Sequence, residues 1–107
     1  MMVPTALMGP FYGILRHNRD WLVQQGISAS DASYFIANTY QSMLKDALVN
    51  PEQPNRFDEL VAEQTPGGLN EQALANLDAL GGLNAYTQAM DAVLSRLEGK
   101  SDGSLEE

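Results

Sequence analysis

The sequence predicts an all-α fold of about five helices in a single small domain. Apolar residues recur at three- and four-residue spacing in successive stretches, the period of one helical face. Gly, Pro and Asn punctuate those stretches where helices start and stop. No alternation of apolar and polar residues runs long enough to predict a strand.

Gly9-Pro10 opens the first helix, because proline is tolerated where the backbone N–H has no helical partner. Phe11, Ile14, Leu15 and Leu22 follow at helical spacing, with Trp21 beside the stripe. Gly26 suits the left-handed position past a helix end, and Ile27 supplies the apolar contact that closes such a cap. The first helix is therefore expected over 10–25.

Ser28, with Asp31 three residues on, starts the second helix as a capping-box variant, its acid at the positive end of the helix dipole. Ala32, Phe35, Ile36, Tyr40, Met43, Leu44, Ala47 and Leu48 spread an apolar surface over five turns. So wide a face in so small a domain calls for more than one neighbour. Asn50-Pro51 is expected to stop this helix, and 51–55 to form a short polar linker.

Phe57, Leu60 and Val61 mark a brief third helix that must end before Pro66. Leu69 to Leu80 gives a fourth, with Leu74, Leu77 and Leu80 inward. Leu83 to Leu97 gives a fifth, with Tyr86, Met90, Val93, Leu94 and Leu97 on its apolar side. The chain reads as one domain over 1–107, with a disordered tail over about 99–107.

The 107 residues carry a net charge of −8 and no cysteine. Acidity on that scale excludes a nucleic-acid partner, whose phosphates need a basic surface. It argues equally against a polybasic membrane contact. No apolar run approaches the roughly 20 residues of a membrane-spanning helix. The start, Met1-Met2-Val3-Pro4, has no basic region of the kind that opens a signal peptide. The expectation is an acidic, cytoplasmic chain. Without cysteine, disulfides, thiolate catalysis and thiolate metal ligation are out of reach.

Chemistry concentrates in Thr65-Pro66-Gly67-Gly68-Leu69-Asn70, where a Pro-Gly-Gly turn opens onto a helix. Glycines let a ligand approach the main chain, and the first helical turn offers unpaired N–H groups to a carboxylate or phosphate. A plain structural bend accounts for the same residues. His17, the single histidine, has no triad partners at a recognisable spacing and reads as a solvated helix residue. Asp58, Glu59 and Glu63 lack a second ligand set, so no metal site is expected and a charged outer face is the simpler reading. Met43 and Met90 fill gaps on core stripes. No Gly-x-Gly-x-x-Gly or Walker loop is present, so no cofactor is expected to bind this chain.

Taken in order, Gly9-Pro10 with Tyr12, Gly26-Ile27, Thr65-Pro66-Gly67-Gly68 and Gly81-Gly82-Leu83 resemble the C-terminal domain of pyrroline-5-carboxylate reductase. The resemblance covers about Thr5 to Leu97. It implies an oxidoreductase whose full-length form reduces a cyclic imine carboxylate to proline with NADPH or NADH. It further implies an intertwined helical homodimer, with the second and fifth helices at or near the contact, and a substrate site at Thr65, Gly67, Gly68, Leu69 and Asn70. No catalytic residue is assigned by it. The family's N-terminal Rossmann domain, which holds NADP or NAD, is absent here, and the doubled methionine favours an excised piece over a stand-alone homologue. Alone, the chain is expected to be inactive.

Where the family carries threonine after a small residue, this sequence has Asn70 after Leu69. An amide is a larger planar group with different donor geometry. That leaves two alternatives beside the proline-forming reductase: a related imine or keto-acid reductase, and a non-catalytic helical dimerisation module. The N–H groups of Gly68, Leu69 and Asn70 are expected to face a cleft that accepts a carboxylate, flanked by the side chains of Thr65 and Asn70.

Overall fold

The computed structural model describes residues 6–48 and 54–105. Five helices and no strand occur among them: α1 (Met8–Gln24), α2 (Ala29–Ala47), α3 (Arg56–Ala62), α4 (Leu69–Ala79) and α5 (Gly82–Leu97). The all-α expectation holds; α1 starts at Met8, two residues before the expected span of 10–25, so Gly9-Pro10 lies within its first turn, while α2 to α5 lie close to their expected spans. Two compact units divide them, with α1 from Gly9 onward, α2 and α3 in one and α4 and α5 in the other.

In the first unit, α1 ends as Gly26-Ile27 dictates. Gly26 has φ 101°, its N–H donates to the Val23 carbonyl at 3.0 Å, and the Ile27 N–H donates to Leu22 at 3.2 Å. These paired bonds satisfy carbonyls that a helix end otherwise strands. Ser28 then caps α2, its hydroxyl accepting from the Asp31 N–H at 3.2 Å. Leu48 closes α2 by donating to the Leu44 carbonyl at 3.0 Å. The stop expected at Asn50-Pro51 lies outside the described residues.

Helices α1 and α2 are linked at Tyr40. Tyr40 accepts a hydrogen bond on its hydroxyl from the Asn18 amide at 2.7 Å, and its ring lies edge-on to Phe11, with centroids 6.2 Å apart. Ala32 is the one buried side chain among the described residues. Most of the apolar surface of α2 faces solvent in a single chain: Tyr34 is 75% exposed and Leu48 72%. Phe11, Leu15 and Leu22 of α1 are half-buried, while Ile14 and Trp21 are exposed. Arg56, at the start of α3, donates to the Asp46 carbonyl at 3.2 Å and so ties α3 to the negative end of α2.

The second unit is a tight helical hairpin. Gly81, at φ 82°, ends α4 and caps α5. A β-carbon on Gly82 would lie 2.4 Å from Leu77 Cδ1, so glycine is what lets the two helices come this close. Leu77 packs at this crossing yet keeps 48% of its surface exposed, and Leu74 keeps 36%, so the face of α4 expected inward is only partly covered in one chain. Leu80, also expected inward, is 86% exposed. Helix α4 stops at Ala79, which leaves Leu80 as its C-cap, carried off the apolar stripe by the turn. Beyond α5 the chain turns back: the Lys100 N–H donates to the Ser95 carbonyl at 2.9 Å, and Ser101 Oγ bonds Ser95 Oγ at 3.0 Å.

Candidate functional site

Thr65-Pro66-Gly67-Gly68 is a type II turn. The Gly68 N–H donates to the Thr65 carbonyl at 2.8 Å, with proline first and a positive-φ glycine second among the central residues, the pair this turn demands. Gly67 has φ 74°. Gly68 must also be small, because a β-carbon there would meet the Thr65 carbonyl oxygen at 2.9 Å and Thr65 Cβ at 3.2 Å. Gly68 then serves as the N-cap of α4, with φ −83° and ψ 175° and no side chain to donate to.

The three N–H groups expected to open outward divide. That of Gly68 is spent on closing the turn, which corrects the expectation for this residue. Those of Leu69 and Asn70, joined by Glu71, have no acceptor among the described residues, since the helical ladder starts with Gln72 donating to Gly68 at 3.1 Å. Leu69 is 84% exposed. Asn70 stands at the second helical position, and no side chain caps α4, so a capping role for Asn70 finds no support.

Glu71 was not anticipated. Its Oε1 accepts the Gly67 N–H at 3.2 Å, a displaced half of a capping box. In the usual box the acid three residues into the helix takes the N-cap N–H. Here the Thr65 carbonyl already holds that group, so Glu71 reaches one residue further back. The signal was present in the sequence as an acid three places after the last glycine. The result is three free donors, of Leu69, Asn70 and Glu71, at a positive helix end with the chain's own carboxylate beside them.

Concavities lie elsewhere. One of about 530 Å3 is lined by Phe11, Leu15, Tyr40, Leu44 and Leu48 among others. A second runs along α2 past Tyr34 and Phe35, and a third joins Tyr12 and Arg16 to Ser33. None of the three includes Thr65, Gly67, Gly68, Leu69 or Asn70. In the single chain the turn carries an exposed Leu69 at the start of α4. Of the acids on α3, Glu59 and Glu63 face Arg56 at 3.4 and 3.8 Å, which makes them part of a charged face. No helix among the described residues is long and apolar enough to cross a membrane.

A helical chain with apolar faces left uncovered, and a glycine turn opening its fourth helix, belongs to the class of helical dimerisation domains. The family model described as pyrroline-5-carboxylate reductase dimerisation matches residues 5–99, and the chain belongs to that family. No curated protein and no solved structure matched it.

Proposed function

We propose that this chain is the dimerisation and substrate-binding part of an NAD(P)H-dependent pyrroline-5-carboxylate reductase-like oxidoreductase, acting in the cytoplasm as a homodimer. The match over residues 5–99 carries the reading. The uncovered faces of α2 support it, because a second copy is the partner that would bury them.

Within that reading, Leu69 and Asn70 offer backbone N–H groups to the substrate carboxylate, and the side chains of Thr65 and Asn70 flank it. A helix N-terminus favours an anion by about 0.3–1 kcal/mol when exposed and up to about 2 when partly buried. That is weak for an open turn, so a second surface has to cover the substrate before binding is useful. The described residues do not suit a dinucleotide, since no strand leads into a glycine-rich turn and no donor cradle for a pyrophosphate is formed. NADP or NAD therefore falls to a nucleotide-binding domain of the full-length protein.

The test is NAD(P)H oxidation by the full-length protein with pyrroline-5-carboxylate, compared for the native chain and Asn70→Ala. The reading expects turnover in the first and a higher KM or lower kcat in the second, with folding unchanged. Glu71 beside the turn favours a second reading, in which the turn is a bend in a dimerisation module with no catalytic part. Absence of turnover with any cyclic imine or keto acid, in a dimer that forms normally, would establish the second reading over the first.

A further inference from the structure

Helix α1 stands apart electrically from the rest of the chain. Arg16 and Arg19 against Asp20 give it a formal charge of +1, within a sequence of net charge −8. The other four helices are neutral or acidic, and α4 carries Glu71 and Asp78 with no cation at all. The two arginines are three residues apart and share one helix face, where like charges repel.

That face forms one wall of the groove of about 250 Å3 between α1 and α2. Leu15, Ile36 and Ala37 give it an apolar lining, while Tyr12, Arg16, Arg19 and Ser33 bring hydroxyl and guanidinium donors to it. Arg19 spends Nε and Nη2 on Asp20 Oδ1, at 2.9 and 2.7 Å, which leaves Nη1 uncommitted. Arg16 has no acceptor among the described residues. Free donors of one sign thus converge beside apolar surface.

We propose that this groove binds a small organic oxyanion, a carboxylate or phosphate ester with an apolar body. The anion bridges Arg16 and the free edge of Arg19, which removes their mutual repulsion. Tyr12 and Ser33 donate to its remaining oxygens, and the apolar body covers Leu15, Ile36 and Ala37. A guanidinium fork matches both oxyanions in shape. The site shares no residue with the Thr65–Asn70 turn and stands whether or not that turn binds substrate.

The experiment is a titration of the 15N-labelled full chain, at constant ionic strength, with benzoate and separately with inorganic phosphate. Sodium chloride serves as the control, and the arginine Nε–Hε and Ser33 amide signals are followed. Saturable movement of the Arg16, Arg19 and Ser33 signals with benzoate or phosphate, beyond that caused by chloride, is expected. Benzoate alone identifies a carboxylate ligand, and phosphate alone a phosphate ester. Arg16→Gln should weaken binding roughly tenfold, and Arg16→Lys, which keeps the charge and loses the fork, by less. Shifts no larger than those from chloride would overturn the proposal. So would equal binding by the native chain and a folded Arg16→Gln variant. Titrating the turn residues in the same spectra keeps the two sites distinct.

Discussion

In the α4–α5 hairpin, Leu77 occupies the space that a side chain on Gly82 would need, whereas along α2 Tyr34 and Leu48 meet solvent over most of their area. The hairpin is assembled from neighbours in sequence, and two adjacent glycines set its geometry. Helix α2 meets α1 at Tyr40 and leaves Tyr34, Phe35, Met43, Leu44 and Leu48 exposed. The difference marks two sources of stability. Local contacts shape the hairpin, while α2 leaves large apolar side chains exposed in the single chain; the chain belongs to a dimerisation family, and the contact proposed for it is on α2.

Breaking the contact on α2 should give the largest effect. Leu44→Glu with Leu48→Glu removes two large side chains from the proposed interface, each worth about 1.5–3 kcal/mol of burial. In a two-fold dimer every such loss is counted twice. Light scattering should find the native chain as a dimer at micromolar concentration and the double variant at the 11.7 kDa monomer mass. A native monomer under those conditions would remove the distinction between the two regions.

The hairpin is tested by Gly82→Ala. Its new methyl group collides with Leu77, and overpacking of this kind destabilises by about 1–3 kcal/mol. Thermal unfolding should show the loss, and Leu77→Ala in the same chain should recover part of it. Two independent losses that simply add would mean the close approach is not what joins α4 to α5.

Much of this was legible beforehand because helix ends are local chemistry. Ser28 with Asp31, Gly26-Ile27 and Gly81 act within a few residues, and each ended or began a helix as its type requires. The candidate site was read less well. Its turn was foreseen, but assigning the Gly68 N–H to a ligand overlooked that a type II turn uses that group to close itself. Glu71 stands at capping-box spacing from Gly68, but a glycine N-cap lacks the side chain that makes the box recognisable in sequence. Leu80 was placed inward by extending a periodic stripe one residue past the last helical turn. Tyr40 as the link to Asn18, 22 residues away, had no sequence signal. Contacts at that separation depend on how helices pack.

Tyr40→Phe sharpens the comparison at the α1–α2 link. It keeps the ring against Phe11 and removes the acceptor for Asn18, a loss of about 0.5–1.5 kcal/mol for an ordinary hydrogen bond. Chemical denaturation should show a lowered midpoint with little change in slope. An unchanged midpoint would mean that water replaces the hydroxyl without loss and that the ring alone joins the two helices.

The smallest effect is expected from Ser28→Ala, which carries the most information about α2. Losing an N-cap costs about 0.5–2 kcal/mol, and the 3.2 Å bond to Asp31 places this one toward the lower end. The substitution leaves the outer face of α2 untouched, so the contact itself is the same in the variant dimer. If α2 is already formed in the free monomer, the cap is lost equally on both sides of the association and the dissociation constant stays as it was. If α2 forms only against its partner, both caps are lost on association. The dissociation constant then rises, by about tenfold for a total of 1.4 kcal/mol. With Ala32 the one buried side chain among the described residues, the second outcome is expected. Dilution of the two proteins followed by helical circular dichroism decides it. Equal dissociation midpoints would show α2 folded on its own and restrict the role of the partner to covering it.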